Sequence, residues 1–393
     1  HDLRRVLLVQ SLGPIGIPGV EQRQLRLNET LLAGRHRVAY FYEAANNSTF
    51  RYRAYNMVQT LNSEKEDGIS ASFFFQSDLH CIDDIADAAD ILVICRSGYN
   101  HKINQLVTKF KIRRKRVYFD IDDFVFDTNY THLVVSTLGL DKEDPQVWED
   151  WFAMMSRMGA TLRMCDGAIT TNDYLAARIL EFCNLQTAVI PNFMNQEQLD
   201  ISQKIFAKKQ VSGFSRDETI HLGYFSGSPS HNRDYAIVES ALEAVLESDP
   251  RTRLVVVGYI EAGPSLARFG ERIIRKPFQD YVNLQRLIGD VEFNLMPLQN
   301  NVFTNCKSEL KYFESAVVGT LSIASPSQNY LKVINDGTNG YIARAHQWAS
   351  IILHAISNID SYANMARQAQ ADSLSNYAWF MQRDKILQAL GFE

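Results

Sequence analysis

The chain has 393 residues, of which 46% are hydrophobic and 22% charged, and its formal net charge is −5. This length exceeds what one ordinary hydrophobic core accommodates, so two domains of average size are expected. The mildly acidic balance excludes a general attraction to nucleic acid.

Cysteine usage and hydropathy bear on the compartment. Five cysteines, an odd number without paired metal-ligand spacing, predict a reducing environment. No apolar run reaches the roughly 20 residues that cross a bilayer. We therefore expect a cytoplasmic protein. The basic run KFKIRRKR at 109–116 is interpreted as a solvated loop, or alternatively as a peripheral contact with a membrane surface.

The N-terminal half repeats a unit made of a short apolar strand, a polar loop and a helical pattern. Its strand candidates are apolar at consecutive positions, which is typical of strands covered on both faces. These candidates are RVLLVQ, HRVAYFYEA, ASFFFQ, DILVICRS, RVYFDID, DGAITT and TAVIPN. The alternation predicts an α/β fold with a parallel sheet.

After Asn192 a polar segment interrupts the pattern and is interpreted as a hinge or a short helix. A second alternating set follows, with the strand candidates IHLGYFSG, RLVVVG, RIIRKP, VEFNLMP, TLSIAS and NGYIA. We predict an N-terminal domain at 1–195, a linker at 196–217, a C-terminal domain at 218–375 and a last helix at 376–393 that packs back on the first domain.

Open parallel sheets bind ligands beyond the carboxyl ends of their strands, which gives the loops there most weight. The loop YFSGSPSHNRD at 224–234 follows a strand and opens a helix. It combines glycine, which lets a backbone approach a ligand, with a cation that neutralises phosphate oxygens. Its candidate binding residues are Gly227, Ser228, His231 and Arg233. The alternative is a plain strand–helix turn with an exposed arginine.

The segment NCKSELKYFESAVVGT at 305–320 is a second candidate. Lys307 and Ser308 are expected to cap a helix and to offer a charge and a hydroxyl to a diphosphate. Glu314 is expected to accept hydrogen bonds from ribose or sugar hydroxyls. The alternative is a surface helix with solvated charges at salt-bridge spacing. The small residues of SAVVGT favour the first interpretation, because they let the helix lie close to a sheet.

Taken in chain order, several segments resemble the motifs of the family-4 glycosyltransferases. They are VIPNFMN at 189–195, the glycine loop with Arg233, KSELKYFESAVVGTLSIAS at 307–325 and NDGTNGYIA at 335–343. The resemblance is strong over 222–343 and weak over the first domain. It implies the GT-B fold, in which two Rossmann-like domains with parallel sheets face a central cleft. It also implies a nucleotide diphosphate sugar as co-substrate, with a UDP-sugar preferred, and no metal or other cofactor.

The resemblance implies roles for single residues of the second domain. Glu314 matches the second glutamate of the family's E-x7-E element, which contacts the ribose, and Arg233 matches a basic residue that holds the diphosphate. Two positions depart from the family: Gly227 lies where many members have an arginine, and Cys306 lies where they have the first glutamate. The expected replacements are His231 and Lys307 for the positive charge, and Lys307, Ser308 or Glu309 for the contact with the donor sugar.

The first domain is then expected to hold the acceptor. LGPIGIPGVEQRQ at 12–24 is a glycine- and proline-rich loop opening a helix, where Gly16 and Gly19 let the acceptor approach; the alternative is merely a long loop. Arg51 and Arg53, in STFRYRAYN, lie beside aromatic residues and are expected to grip a phosphate or sugar of a lipid-linked acceptor. The alternative is a pair of surface arginines with their stems on apolar surface.

Three carboxylates close a strand in YFDIDDFVFD at 118–127, and they cannot all be buried without partners. A magnesium site is one interpretation. The family uses basic residues instead of a metal, so no metal is expected. Asp122 or Asp123 is expected to orient an acceptor hydroxyl or to act as its base, Asp120 to contact the acceptor, and Arg96 to hold the aspartates. The alternative is a set of capping and salt-bridge aspartates.

The predicted activity is therefore a retaining, metal-independent transfer of a hexose or deoxyhexose to a saccharide acceptor. The resemblance places it in bacterial surface polysaccharide assembly, such as lipopolysaccharide or capsule, beside other glycosyltransferases at the inner face of the cell membrane. Arg233 and Lys307 would stabilise the departing diphosphate. Two alternatives remain open: a sugar-nucleotide epimerase with the same donor pocket, and a non-catalytic nucleotide-sugar sensor or scaffold, which Cys306 suggests.

Overall fold

Two parallel sheets organise the molecule. The computed structural model describes residues 17–28, 36–45, 48–64, 68–214, 218–227, 231–260 and 263–392. Within these ranges each domain is built on a six-stranded sheet whose neighbouring strands are all parallel.

The sheet of the first domain has the strand order β2-β1-β3-β4-β5-β6. Its strands are β1 (Arg37–Tyr42), β2 (Ser70–Phe75), β3 (Ile91–Cys95), β4 (Arg116–Ile121), β5 (Gly167–Thr170) and β6 (Thr187–Val189). The chain leaves β1 toward β2 and returns to β3 on the other side of β1. Loops diverge at this reversal, so the carboxyl ends of β1 and β3 border a natural ligand crevice.

Helices cover both faces of this sheet. They are α1 (Val20–Asn28), α2 (Asn56–Leu61), α3 (Ile82–Ala88), α4 (His101–Ile112), α5 (Thr131–Thr137), α6 (Pro145–Met164) and α7 (Asp173–Cys183), with 3-10 turns at Gln76–Cys81 and Thr128–Tyr130. A helical turn, Ser48–Phe50, and a π-helical turn, Arg51–Tyr55, lead into α2 with helical backbone angles throughout.

The connection between the domains is a 16-residue helix, α8 (Gln196–Val211), where the sequence predicts a hinge or a short helix. The Asn195 side chain caps it by accepting a hydrogen bond from the Gln198 amide at 2.8 Å. Leu199 and Phe206 are buried. The helix is longer than expected because its apolar positions pack on the second domain.

The sheet of the second domain has the order β12-β11-β10-β7-β8-β9, with its own reversal between β7 and β10. Its strands are β7 (Ile220–Ser226), β8 (Thr252–Gly258), β9 (Ile273–Lys276), β10 (Phe293–Met296), β11 (Leu321–Ala324) and β12 (Tyr341–Ile342). This is the strand order of a Rossmann-type sheet. All strands predicted on described residues are observed, while RVLLVQ lies outside them.

The second domain and the C-terminal end contribute the remaining helices. They are α9 (Asn232–Ser248), α10 (Pro264–Ala267), α11 (Tyr281–Gly289), α12 (Val302–Asn305), α13 (Leu310–Ala316), α14 (Gln328–Val333), α15 (Trp348–Ser357), α16 (Tyr362–Tyr377) and α17 (Arg383–Leu390), with 3-10 turns at Gly270–Arg272, Ile359–Ser361 and Trp379–Met381. Ile386 and Leu390 of α17 are buried in the same cluster as Val38 of β1, so the chain ends packed on the first domain.

The basic run at 109–116 closes α4 and starts β4 rather than forming a loop. Arg113 Nε lies 2.6 Å from Asp87 Oδ1, and Lys111 Nζ lies 3.3 Å from Asp166 Oδ1. These exposed charges are therefore balanced locally. Within the described ranges, no helix combines the length and the apolar character needed to cross a membrane.

Candidate active site

A cavity of about 410 Å³ lies between the two domains. The helical segment that follows β1 forms its first-domain wall, and the loops after β7 and β9 together with α11 and α13 form the opposite wall. Apolar side chains from the second domain, including Phe225, Val257, Phe278 and Leu284, line much of it. Its size and its position at the carboxyl ends of parallel strands are those of ligand sites in α/β proteins.

The π-helical turn places Arg51 and Tyr52 at this cavity. The Arg51 guanidinium carbon lies 4.5 Å from the ring centroid of Tyr52 and 4.3 Å from that of Tyr281. Contact with two aromatic rings fixes the position of the cation. Arg51, predicted to bind the acceptor, thus lines the same cavity as the predicted donor residue Glu314.

Glu314 projects from α13 into the cavity and is 5% exposed. Its Oε1 accepts a hydrogen bond from the Tyr52 hydroxyl at 2.5 Å, and Arg51 Nη2 lies 3.7 Å from the same oxygen. Burial raises the pKa of Glu314, while Arg51 and the Tyr52 hydrogen bond oppose that rise. The buried carboxylate is an acceptor suited to hydroxyl groups of a ligand.

Lys311 lies one helical turn before Glu314 and lines the same cavity. Its Nζ is 5.5 Å from the ring centroid of Tyr224, and it forms no ion pair among the residues that the structure describes. Burial lowers the pKa of Lys311 to about 8, and the charge of Lys307 lowers it further, while Asp234 and Glu314 oppose the shift. An ammonium group in this setting favours an anionic ligand.

His231 also lines the cavity, and its Nδ1 lies 3.1 Å from Asp234 Oδ2. Burial lowers the pKa of His231 to about 4, the nearby charges of Lys311 and Lys307 act in the same direction, and Asp234 opposes them. The ring is therefore uncharged at neutral pH. His231 offers a hydrogen bond rather than the positive charge expected of it.

The aspartates at the end of β4 lie next to the first-domain wall of the cavity. Arg96 Nη1 donates to Asp122 Oδ1 at 3.1 Å, and its Nη2 lies 3.6 Å from Asp123 Oδ2, so the predicted contact is present. Thr49, between two residues that line the cavity, donates to Asp122 Oδ2 at 3.2 Å. Arg96 has a φ of +37°, a left-handed conformation that costs about 1–3 kcal/mol and is typical of functional sites.

Arg53 and Asp120, both predicted to contact the acceptor, are fully buried and paired with each other. Arg53 also donates to the Ile190 carbonyl oxygen at 2.9 Å and to Asn192 Oδ1 at 3.2 Å. Their charges are thus satisfied inside the first domain. In this structure neither side chain is placed to reach an acceptor.

Two other predicted residues lie at contacts between the domains. Arg233 is exposed and donates a hydrogen bond to the Ser136 carbonyl oxygen of α5. Ser308 Oγ accepts one from Asn192 Nδ2 at 3.0 Å. Their predicted contacts with a diphosphate remain predictions.

The segment before α13 differs from the expected helix cap. Lys307 donates its amide to the Thr304 carbonyl oxygen, and α13 begins at Leu310 with Glu309 at the cap position, so the prediction that Lys307 and Ser308 cap the helix is wrong. The residues between α12 and α13 complete the turn that follows α12. Glu309 Oε1 accepts a hydrogen bond from the Tyr377 hydroxyl at 2.8 Å.

Cys306, which the sequence resemblance puts in place of a glutamate, is buried against the first domain, and burial raises the pKa of its thiol. Gly227 lines the cavity, and Gly19 precedes α1. Gly16 and Ser228 lie outside the described residues. The described part of the chain holds no group of three His, Cys, Asp or Glu side chains that could bind a metal ion.

Sequence interpretation missed Tyr52, Tyr281 and Lys311 as cavity residues. Lys311 could have been found, because its i,i+3 spacing from Glu314 puts both on one helix face. Tyr52 and Tyr281 carry no comparable pattern in the sequence, since they come from different domains.

No protein-family model and no curated protein sequence matches the chain. Solved structures do match. HepE of Anabaena, in a complex with UDP and glucose, has a TM-score of 0.62 at 14% identity, covering 91% of this chain and 99% of that chain. A glycosyltransferase from Rickettsia africae has a TM-score of 0.60 at 13% identity, covering 90% and 97%. Sucrose-phosphate synthase from Thermosynechococcus elongatus has a TM-score of 0.56 at 13% identity, covering 90% and 97%. These similarities confirm the predicted GT-B fold.

Proposed function

We propose that the protein is a glycosyltransferase that uses a nucleotide diphosphate sugar, with a UDP-sugar preferred. One observation carries the proposal: the Glu314 carboxylate and the Lys311 ammonium line one interdomain cavity. The first suits ribose hydroxyls and the second suits a diphosphate. Structures of the GT-B neighbour HepE contain UDP or UDP-glucose, which supports the choice of UDP.

In the proposed reaction, the bond between the anomeric carbon of the donor sugar and the diphosphate oxygen breaks. Negative charge then grows on the leaving diphosphate. Lys311 lines the cavity, where its charge would stabilise the leaving diphosphate. Lys307, whose charge acts on Lys311, and Arg233 are proposed to assist it. Fixed cations aimed at developing charge are a main source of rate enhancement. No metal is required by this scheme.

The acceptor would enter beside β4. An acceptor hydroxyl forms the new bond to the anomeric carbon, and Asp122 or Asp123 orients it or takes its proton. Arg96 holds both carboxylates. We propose a saccharide, lipid-linked acceptor and retention of configuration, on the resemblance to family-4 enzymes. Surface polysaccharide assembly in the cytoplasm, at the inner membrane face, is the proposed setting.

The first test is thermal unfolding with UDP, GDP, dTDP and CDP, because a ligand that binds only the folded state raises the melting temperature. We expect stabilisation by UDP above the others. Failure of all four nucleotides to stabilise the protein would refute the donor site. Incubation with UDP-hexoses, with and without saccharide acceptors, then separates transfer from epimerisation, since an epimerase forms product without acceptor.

A further inference from the structure

We propose that Tyr52 of the first domain positions Glu314 of the second domain for the ribose of a bound nucleotide, so that ribose recognition requires both domains. The inference rests on the proposed donor site. Tyr52 is a positioning residue here: it acts on the ligand through the carboxylate.

The Tyr52 side chain is fixed where it crosses into the second domain. It is 1% exposed and belongs to the buried cluster formed by the second-domain core. Its ring packs edge-on against Phe313, the neighbour of Glu314, with 6.1 Å between centroids. A phenol carries one donor hydrogen, and here it is directed at Glu314 Oε1.

Two further side chains place donor groups near the same oxygen. Gln198 Nε2, from the connecting helix α8, lies 3.5 Å from Glu314 Oε1 and 3.5 Å from the Tyr52 hydroxyl. Arg51 Nη2 lies 3.7 Å from Oε1. These donors all face Oε1, and no hydrogen bond from a described residue reaches Oε2, so we assign the contact with a ribose hydroxyl to Oε2.

The backbone of Glu314 is held as well. Gln285 Nε2 donates to the Glu314 carbonyl oxygen at 3.1 Å and to Ser202 Oγ of α8 at 2.7 Å. Glu314 is thus held at its carboxylate by the first domain and the connecting helix, and at its backbone by α11. A site supported in this way holds its binding group in one geometry.

The chain contains a matched control, because a second buried tyrosine donates to a second buried glutamate nearby. Tyr377 donates to Glu309 Oε1 at 2.8 Å. Its ring stacks on Phe313, which Tyr52 also contacts, with 4.8 Å between the ring centroids. Loss of its hydroxyl removes a comparable hydrogen bond, but Tyr377 does not line the described cavity.

Calorimetry measures the affinities of UDP and of 2′,3′-dideoxyuridine diphosphate, which lacks both ribose hydroxyls. The quantity compared among variants is the affinity for UDP divided by the affinity for the dideoxy analogue. Glu314→Gln sets the ratio expected when the carboxylate is lost. We expect Tyr52→Phe to lower the wild-type ratio by about tenfold, the usual effect of a hydrogen bond to a charged group. Tyr377→Phe is expected to keep the wild-type ratio, since a merely structural change alters both affinities equally.

A wild-type ratio retained in Tyr52→Phe would overturn the inference. If Tyr52→Phe does not fold, Gln198→Leu tests the same positioning from the connecting helix, with the same expected fall and the same contrary outcome. Lack of any UDP binding by the wild-type protein would instead refute the proposed donor site, so the two failures are distinguishable.

Discussion

Arg53 and Asp120 form a two-point ion pair inside the first domain, with Nε–Oδ1 at 2.7 Å and Nη2–Oδ2 at 2.9 Å and both side chains fully buried. A buried ion pair is tolerated in the folded protein only while each charge has its partner. Removal of one leaves an uncompensated buried charge.

Arg53→Met is therefore expected to lower the free energy of unfolding by about 3–5 kcal/mol. Urea denaturation measures the change. The double variant Arg53→Met with Asp120→Leu should recover most of the loss, because it removes both charges. As a control, Arg178→Ala breaks a more exposed pair with Glu181 and should cost less than about 1 kcal/mol. Equal costs for the two single changes would contradict the prediction.

Lys311 is expected to make nucleotide binding depend on pH. Its pKa of about 8 means that it carries a charge below that pH and loses it above, so affinity for UDP should fall as pH rises through about 8. Lys311→Met should lower affinity at pH 7 by about tenfold or more and abolish the fall. Titration of UDP at several pH values measures both effects.

Lys307→Met provides the control for this pH dependence. The charge of Lys307 lowers the pKa of Lys311, so removing it should move the fall in affinity to higher pH without abolishing it. An unchanged pH profile in both variants would show that Lys311 does not contact the diphosphate.

Substitution of Arg51 distinguishes a role in donor binding from the role in acceptor binding that the sequence predicts for it. Its guanidinium lies over Tyr281 of the second domain and lines the cavity. We expect Arg51→Met to weaken UDP binding by about tenfold, through loss of a charged contact. The KM for the acceptor should stay close to the wild-type value. A raised acceptor KM with unchanged UDP affinity would restore the original interpretation.

Asp122 and Asp123 are expected to serve the chemical step rather than donor binding. Asp122→Asn and Asp123→Asn should retain UDP affinity, while the more damaging of the two lowers the transfer rate by about 10²–10⁴-fold, as loss of a general base does. Transfer of labelled hexose to acceptor measures the rate. Asp141→Asn changes an exposed aspartate that, among the described residues, accepts a hydrogen bond only from the Glu143 amide, and it should leave transfer unaffected. Full activity in both test variants would refute the assignment.

Much of the fold could be predicted because the signals are local. Strands covered on both faces must be apolar at consecutive positions. β3 is such a run with every residue buried, and so is the segment 254–257 of β8. The length of α8 was underestimated, since its few apolar residues are buried only by contact with the second domain. Lys311 was not predicted as a binding residue, because the sequence does not show that its side of the helix faces a cavity.

The sequence by itself determined the two parallel sheets, their order along the chain and the segment carrying Glu314, because periodicity and turn residues act over a few neighbours. Tertiary structure alone decided which charged groups neutralise each other and which face the cavity. Arg51 and Arg53 are two residues apart, yet one lines the cavity and the other is buried against Asp120. Ion pairing and desolvation depend on groups distant in sequence, and only the folded chain brings those groups together.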